Sequence, residues 1–146
     1  MDERREKGGT MKRAPVLRTL SEGHHHGLVQ ARRLQRATEA TSADAAAKGF
    51  LDFWQKDTAI HFRKEEEVLL AVMARYGRAL SREPLVQMLE DHARIRGLVM
   101  QLSDDAIGGN VRPETLHEIG ERLEAHIRLE ERVVFPSSRS HFRKVP

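Results

Sequence analysis

The sequence predicts an all-α protein, an up-down-up-down bundle of four helices. Three observations support this fold class. Charged residues make up 32% of the 146-residue chain and aromatic residues only 5%, a composition that suits helices better than strands. Apolar residues recur at helical spacing in four segments, and no segment carries a strand signal. Short connections separate the four segments, so consecutive helices are expected to run antiparallel.

The first helix follows a polar leader. Residues 1–14 contain two adjacent glycines and few apolar side chains, so they are predicted to be flexible. The helix is predicted from Val16 to about Thr38, because apolar residues recur there every three or four positions. One histidine falls on the same stripe. The stripe consists of Leu17, Leu20, His24, Leu28, Ala31 and Leu34.

The second helix follows a short polar connection. Thr41 or Ser42 is the predicted N-cap, since a hydroxyl can accept a hydrogen bond from the first turn. The helix is predicted to run from about Ala43 to Tyr76. Gly77 follows as the predicted helix stop.

The last two helices are separated by a loop rich in turn-forming residues. The third helix is predicted from its N-cap, Ser81, to about Ser103. A loop over residues 104–112 follows, because it contains two adjacent glycines and an asparagine. Pro113 fits the first position of the fourth helix, which is predicted to continue to about Val134.

Composition and charge exclude several classes of function. The chain contains no cysteine, so disulfides, thiolate metal sites and cysteine nucleophiles are excluded. The net charge of +3 is concentrated in the two ends without interleaved aromatics, so nucleic-acid binding is not expected. No apolar stretch approaches the roughly 20 residues of a membrane span. The charged N-terminus lacks the features of a secretory signal, so a cytoplasmic location is expected. The predicted organisation is a leader (1–14), a bundle domain (15–136) and a basic tail (137–146).

Two stretches of the sequence repeat the same pattern, a histidine and a glutamate four residues apart. On a helix these two side chains lie one turn apart on the same face. Each stretch is preceded, at a similar interval, by another core-facing histidine on the previous helix, which is His24 in the first case and His92 in the second. The sequence therefore predicts two similar helix pairs, each of which supplies two histidines and one glutamate. The two stretches are His61–Glu65 and His126–Glu130.

The predicted heights of these groups in the bundle agree with one another. At roughly 1.5 Å per residue, the four histidines lie roughly 12 to 22 Å from the same end of the bundle. The two glutamates lie about 6 Å below their histidines by the same rise. Six polar groups on four apolar stripes are thus predicted to meet in one layer of the core. The six candidate metal ligands are His24, His61, Glu65, His92, His126 and Glu130.

This donor set predicts a metal centre. Imidazoles and carboxylates are costly to bury unless a cation takes them as ligands. Four histidines and two carboxylates suit iron or manganese, and zinc if fewer of them bind. Six ligands from four helices fit two ions better than one, with Glu65 and Glu130 bridging between them. Open coordination positions would then accept a small exogenous molecule.

Several neighbouring residues allow more than one interpretation. Three adjacent histidines cannot all face inward, because successive side chains point about 100° apart around a helix. His24 fits the apolar stripe, His25 is the alternative ligand, and His26 is predicted to face solvent or the neighbouring helix. Glu66 and Glu131 follow the proposed ligands directly and are predicted to be solvated or to contact the ligands from outside.

Five other positions are predicted to be structural or peripheral. His117 and His141 are predicted to lie on the surface or in the tail. Trp54 is predicted to pack in the core well away from the metal ligands. Phe62 is predicted either to pack in the core or to line the metal pocket. Gly27 either leaves space beside the metals or allows close helix packing.

The motifs resemble those of a known family. His61-x-x-x-Glu65-Glu66 and His126-x-x-x-Glu130-Glu131-x-Val133-Val134-Phe135-Pro136 are similar to the paired signature of hemerythrin-like domains, the HHE cation-binding family. The histidines of Glu90-Asp91-His92 and His24-His25-His26-Gly27-Leu28 match that family's remaining ligand positions. The resemblance covers about residues 16–136. It implies a non-haem diiron site bridged by two carboxylates and an oxo or hydroxo group, with dioxygen or a related diatomic molecule as its ligand.

One position departs from the oxygen-carrying members of that family. Those proteins have a second histidine one turn after the single histidine of the third helix, where this chain has Arg96. The chain either lacks a fifth histidine or takes one from elsewhere, with His25 as the candidate. This difference favours a sensor or a redox-active site over simple oxygen transport. The alternatives are a diiron oxidase or peroxidase on the same site and a mononuclear metal-binding or metal-free helical interaction module.

Overall fold

The computed structural model describes residues 23–76 and 82–134, and this part of the chain is helical without a strand. Two short π-helical turns interrupt the α-helices. One of them joins α2 to α3 in a continuous rod, so the described chain forms four rods, and the predicted all-α four-helix fold is confirmed. The elements are α1 (residues 23–35), α2 (Ala40–Phe53), the π turn Trp54–Thr58, α3 (Ala59–Tyr76), α4 (Arg82–Ile107), α5 (Pro113–Leu129) and the π turn Glu130–Val134.

The core consists of apolar layers on both sides of one polar layer. Towards the end of the bundle that carries the connections at 36–39 and 108–112, aliphatic and aromatic side chains from all four rods are buried together. Each buried leucine or isoleucine contributes roughly 1.5–3 kcal/mol of transfer free energy there. On the other side of the polar layer, Leu69, Leu85 and Met88 are also buried. The larger apolar layers include Leu34, Phe50, Ile95, Leu102, Leu116, Ile119 and Leu123.

The connection between α1 and α2 differs from the prediction. It spans residues 36–39, and the N-cap is Glu39, so the predicted cap at Thr41 or Ser42 is wrong. The Ser42 hydroxyl oxygen accepts a hydrogen bond from the Glu39 backbone N–H at 3.1 Å and donates one to the Glu39 carbonyl at 3.0 Å. The serine thus stabilises the helix start from inside the first turn, and α2 begins before the predicted Ala43.

Helix α4 extends beyond its predicted end at Ser103 and terminates at Ile107. Gly109 follows with φ +68°, a left-handed conformation that glycine adopts without strain. The Asn110 N–H donates to the Asp105 carbonyl at 2.8 Å, which is the hydrogen bond of a Schellman motif. Asp104 and Asp105, which were assigned to the loop, therefore lie in the last turn of the helix, and the loop itself is shorter. Pro113 opens α5 at its first turn, as predicted.

The two π turns were not predicted, because a regular α-helical repeat was assumed along the whole of each helix. Both lie beside the histidine–glutamate pairs. The first ends at Thr58, just before His61, and the second begins at Glu130. Short π segments inside α-helices are frequent at functional sites.

Some predictions concern residues outside the described part of the chain. These are the leader, the helix start at Val16, the stop at Gly77, the cap at Ser81 and the basic tail. Among the described helices, none combines the length and the apolar character that crossing a membrane requires.

Two glycines give a matched test of the packing. A Cβ added at Gly120 on α5 would lie 2.6 Å from the Ala31 carbonyl oxygen of α1, whereas one added at Gly97 on α4 meets nothing within 4 Å. Gly120→Ala should therefore lower the free energy of unfolding by about 1–3 kcal/mol. Gly97→Ala should raise it by roughly 0.5–1 kcal/mol, because alanine favours the helix.

Urea unfolding of the metal-free protein, followed by circular dichroism, measures both changes. Equal effects of the two substitutions would contradict the close approach of α1 and α5.

Candidate metal centre

The structure brings all six predicted ligands together in the polar layer. They form two groups of four, and each group contains two imidazoles and both glutamates. Within a group, one ligand atom from each residue lies within 4.8 Å of the others. Ligands about 2.1 Å from an ion are about 4.2 Å apart on opposite sides of it, so each group has nearly the dimensions of a single cation site. The groups are His24, His61, Glu65 and Glu130, and Glu65, His92, His126 and Glu130.

Helical spacing positions one histidine beside each glutamate. On α3, His61 Nε2 lies 2.5 Å from Glu65 Oε1, one turn along the helix. On α5 and the π turn that extends it, His126 Nε2 contacts Glu130 Oε1 in the same way. The i,i+4 pattern therefore places an imidazole nitrogen and a carboxylate oxygen together on two different rods.

The other two histidines lie between the glutamates. His24 Nε2 is 3.6 Å from Glu65 Oε1 and 3.5 Å from Glu130 Oε2. His92 Nε2 is 3.5 Å from Glu65 Oε2 and 3.7 Å from Glu130 Oε1. Both glutamates are thus shared by both groups, which is the position that bridging ligands would occupy.

The two glutamates are fully buried, and their oxygens lack hydrogen bonds. Glu65 and Glu130 are each 0% exposed, and none of their four carboxylate oxygens has a hydrogen-bond partner among the described residues. The nearby imidazole nitrogens are at ion-pair distance but are not aligned as hydrogen-bond donors. Leaving buried carboxylates in this state costs several kcal/mol each. A cation between the oxygens and nitrogens would remove that cost.

In the metal-free chain, protons on the imidazoles compensate part of the buried carboxylate charge. Burial by itself lowers the pKa of His24, but the Glu130 and Glu65 carboxylates outweigh it and raise that pKa to about 10. Burial likewise lowers the pKa of His126, but Asp91 and Glu130 raise it to about 9. Burial raises the pKa of the Glu130 carboxyl, yet its contacts with Glu65 and the imidazoles hold it well below its usual range. Metal binding must therefore displace protons from the histidines.

A second set of carboxylates holds three of the imidazoles from behind. Glu131 Oε1 lies 2.7 Å from the Nδ1 of His24, and Asp91 Oδ2 lies 3.3 Å from the Nδ1 of His126. Glu66 Oε2 lies 3.4 Å from the Nδ1 of His92. The carboxylates that are hydrogen-bonded to Nδ1 of His24 and His126 keep a proton there and leave the Nε2 lone pair for a metal, whereas Glu66 is at ion-pair distance from His92 without a hydrogen bond. The predicted outer contacts of Glu66 and Glu131 are therefore present, whereas the role of Asp91 was missed.

Arg96 acts on one of these outer carboxylates. Its Nη1 and Nη2 donate to the two oxygens of Glu66, each at 2.7 Å, and its guanidinium lies 5.7 Å from the centre of the Phe62 ring. Phe62 stacks on His92 with ring centroids 3.8 Å apart. His25, the candidate fifth histidine, is exposed and lies outside both groups. The position of the missing histidine is thus occupied by a salt bridge that supports His92.

A small cavity adjoins the histidines of the first group but not those of the second. It has a volume of about 10 Å³, which is close to the space for one water molecule. Two glycines of α1 make room beside it. A Cβ added at Gly23 would lie 2.7 Å from His61 Nδ1, and one added at Gly27 would lie 2.9 Å from Ile127 Cδ1. The lining consists of Gly23, His24, Gly27, Asp57, Thr58, His61, Phe62, Leu123, Ile127 and Glu130.

Two peripheral residues make contacts that the sequence did not predict. His117 is half-buried, and its Nε2 lies 2.5 Å from the Ala37 carbonyl, so it ties α5 to the α1–α2 connection. Trp54 packs against the core, as predicted, and its ring contacts Phe62 edge-on at 5.4 Å between centroids. Sequence spacing could not show the His117 contact, since it joins α5 to the α1–α2 connection, whereas Trp54 and Phe62 belong to the same rod on either side of the end of the π turn. His141 lies outside the described residues.

Comparison with known proteins agrees with the resemblance seen in the motifs. The profile of the family described as hemerythrin HHE cation binding domain matches residues 16–137, which is most of the chain. No curated protein and no solved structure matches significantly.

The raised histidine pKa values predict how pH acts on the metal-free protein. Between pH 6.5 and about 10 the folded chain holds a proton on His24 that the unfolded chain has lost. Because the folded state binds more protons, its stability should fall as pH rises through this window. Chelator-treated protein unfolded in urea at several pH values measures the trend. A stability that rises from pH 7 to pH 9 would contradict the predicted histidine protonation.

The contact between Arg96 and Glu66 predicts an effect on metal affinity at a distance. Arg96→Gln removes both hydrogen bonds from Glu66, which then holds His92 less firmly. Metal affinity, measured by competition with a chelator, should fall about tenfold, as is typical for residues that support a ligand. Arg94→Gln, an exposed arginine on the same helix, is the charge-matched control. If both variants retain the parental affinity, Arg96 has no part in the centre.

Proposed function

The chain belongs to the hemerythrin HHE cation-binding family, and we propose that it is a non-haem diiron protein that binds dioxygen or a related small molecule. The coarser conclusion, a helical metal-binding protein with histidine and glutamate ligands, rests on the family and on the buried cluster. The observation that carries the finer proposal is the sharing of Glu65 and Glu130 by two groups of four ligands.

The donor set favours iron. Each group offers two imidazole nitrogens and two carboxylate oxygens, a mixture that iron and manganese accept and that leaves coordination positions open. Structural zinc sites are usually closed and tetrahedral, with each ligand serving one ion. Two shared carboxylates instead suit a pair of ions held close together. When bound, a pair of irons would supply the electrons for reversible binding of dioxygen.

The surroundings make the two metal positions unequal. The cavity touches His24, His61 and Glu130 but neither His92 nor His126. Phe62 covers the second group, because it stacks on His92 and contacts the His126 ring at 5.3 Å between centroids. A small ligand is therefore expected to enter beside the first group. Leu123, Ile127 and the two α1 glycines keep that space narrow and largely apolar, which excludes bulk water.

The residues around the ligands favour sensing or redox chemistry over transport. Where oxygen carriers of the family have a fifth histidine, this chain has Arg96, and its contact with Glu66 places an ion pair beside His92. Groups that contact a metal ligand from outside tune the electronic properties of the ion. We therefore favour a protein that responds to a small molecule or handles iron.

Metal analysis of the purified protein tests the proposal directly. The parent should contain about two irons per chain and develop a visible charge-transfer band when azide is added. Glu65→Ala should lose most of both irons, because Glu65 belongs to both groups, whereas His61→Ala should lose mainly one. Glu67→Ala, an exposed neighbour on α3, should retain the parental iron content.

Protein expressed in iron-rich medium that remains iron-free would refute the diiron assignment. Stoichiometric ligand binding is the expected behaviour. Steady turnover of peroxide or of ferrous iron, lost in Glu65→Ala, would instead assign the centre to an enzyme.

A further inference from the structure

Thr58 is a buried polar residue whose hydroxyl group makes no hydrogen bond to the described part of the chain. It is 5% exposed, and its hydroxyl oxygen has no hydrogen-bond partner among the described residues. Buried hydroxyls are nearly always hydrogen-bonded, because an unpaired one keeps the cost of its lost hydration. Apart from the proposed metal ligands, only Asp105 shares this property among the described side chains.

The backbone around Thr58 is also irregular. Thr58 is the last residue of the π turn that joins α2 to α3, and the Ala59 N–H donates to the carbonyl of Trp54 across this turn. A threonine inside an ordinary helix often satisfies its hydroxyl by donating to the carbonyl one turn earlier. Here the hydroxyl makes no such hydrogen bond. The π turn thus places a hydroxyl in the core without giving it a backbone acceptor.

Thr58 lines the small cavity beside the first ligand group. The same cavity is lined by His24, His61 and Glu130 and is otherwise formed mainly by glycines and apolar side chains. Asp57 is the other carboxylate at this cavity, and it is half-buried. The Thr58 hydroxyl is therefore an available donor next to the place where a small ligand would enter.

We propose that the Thr58 hydroxyl donates a hydrogen bond to the small ligand that occupies this cavity. The proposal rests on the metal-binding function proposed above and adds a ligand class to it. Ligands with an accepting outer atom, such as azide and other small anions or polar diatomic molecules, gain this hydrogen bond. Ligands without an accepting atom do not. Thr58 is thus a specificity-determining residue, although it is not a metal ligand.

Azide titration of the iron-loaded protein tests this role. Thr58→Val keeps the shape of the side chain and removes the donor, so azide should bind roughly ten- to a hundred-fold more weakly, the range for a hydrogen bond to a charged group. Thr58→Ser restores the hydroxyl and should recover most of the affinity. Thr115→Val, at a buried threonine of α5 outside the cavity, should bind azide like the parent.

Two further measurements separate this role from a structural one. Iron content should be unchanged in Thr58→Val, and the unfolding midpoint of the metal-free variant should be equal to or above that of the parent, because an unpaired hydroxyl is removed. The infrared stretch of bound azide should shift between H₂O and D₂O in the parent and in Thr58→Ser, but not in Thr58→Val.

The possible failures are distinguishable. If the parent holds no iron or gives no azide band, the diiron proposal fails and the role of Thr58 falls with it. If the parent binds azide and Thr58→Val binds it equally well, only the role of Thr58 is overturned. The same holds if Thr58→Ser is as weak as Thr58→Val, or if Thr58→Val loses its iron.

Discussion

Burial of two carboxylates in the middle of the bundle constrains the rest of this structure. Glu65 and Glu130 lie without hydrogen bonds in a layer that has apolar side chains above and below it. Such an arrangement is unfavourable unless positive charge lies between the two side chains. Four imidazoles surround them, and the pKa of His24 and of His126 is raised far enough for protons to provide that charge when metal is absent. The core is therefore stable only in combination with cations or protons.

The side chains around this centre become more exposed with distance from it, and each contacts the next. Behind the imidazoles lie Glu131, Glu66 and Asp91, and behind Glu66 lies the half-exposed Arg96. Each contact limits the rotation of the group in front of it, so the inner ligands are oriented before any metal arrives. Aromatic stacking of Phe62 closes one side of the centre, while glycines leave a small space on the other. This difference between the two sides makes a symmetrical ligand set chemically asymmetric.

The sequence could predict much of this site because helices have a regular repeat. A histidine and a glutamate four residues apart must share a face, and four such faces at similar heights must meet if the helices are antiparallel. The choice of His24 over its neighbours followed from the same periodicity. The two π turns, the N-cap of α2 at Glu39 and the last turn of α4 were missed, because each depends on local backbone hydrogen bonds that apolar periodicity does not report.

What the sequence determined by itself was the fold class, the six candidate ligands and the family. These depend on patterns within single helices. Only the tertiary structure decided what lies between helices: that Arg96 binds Glu66, that His25 faces solvent, that Asp91 supports His126 and that Thr58 lines a cavity. Such contacts depend on how far each rod is rotated and how closely the rods approach. A small rotation of a rod, or a change of a few ångströms in the distance between two rods, can make or remove such a contact while the sequence pattern stays the same.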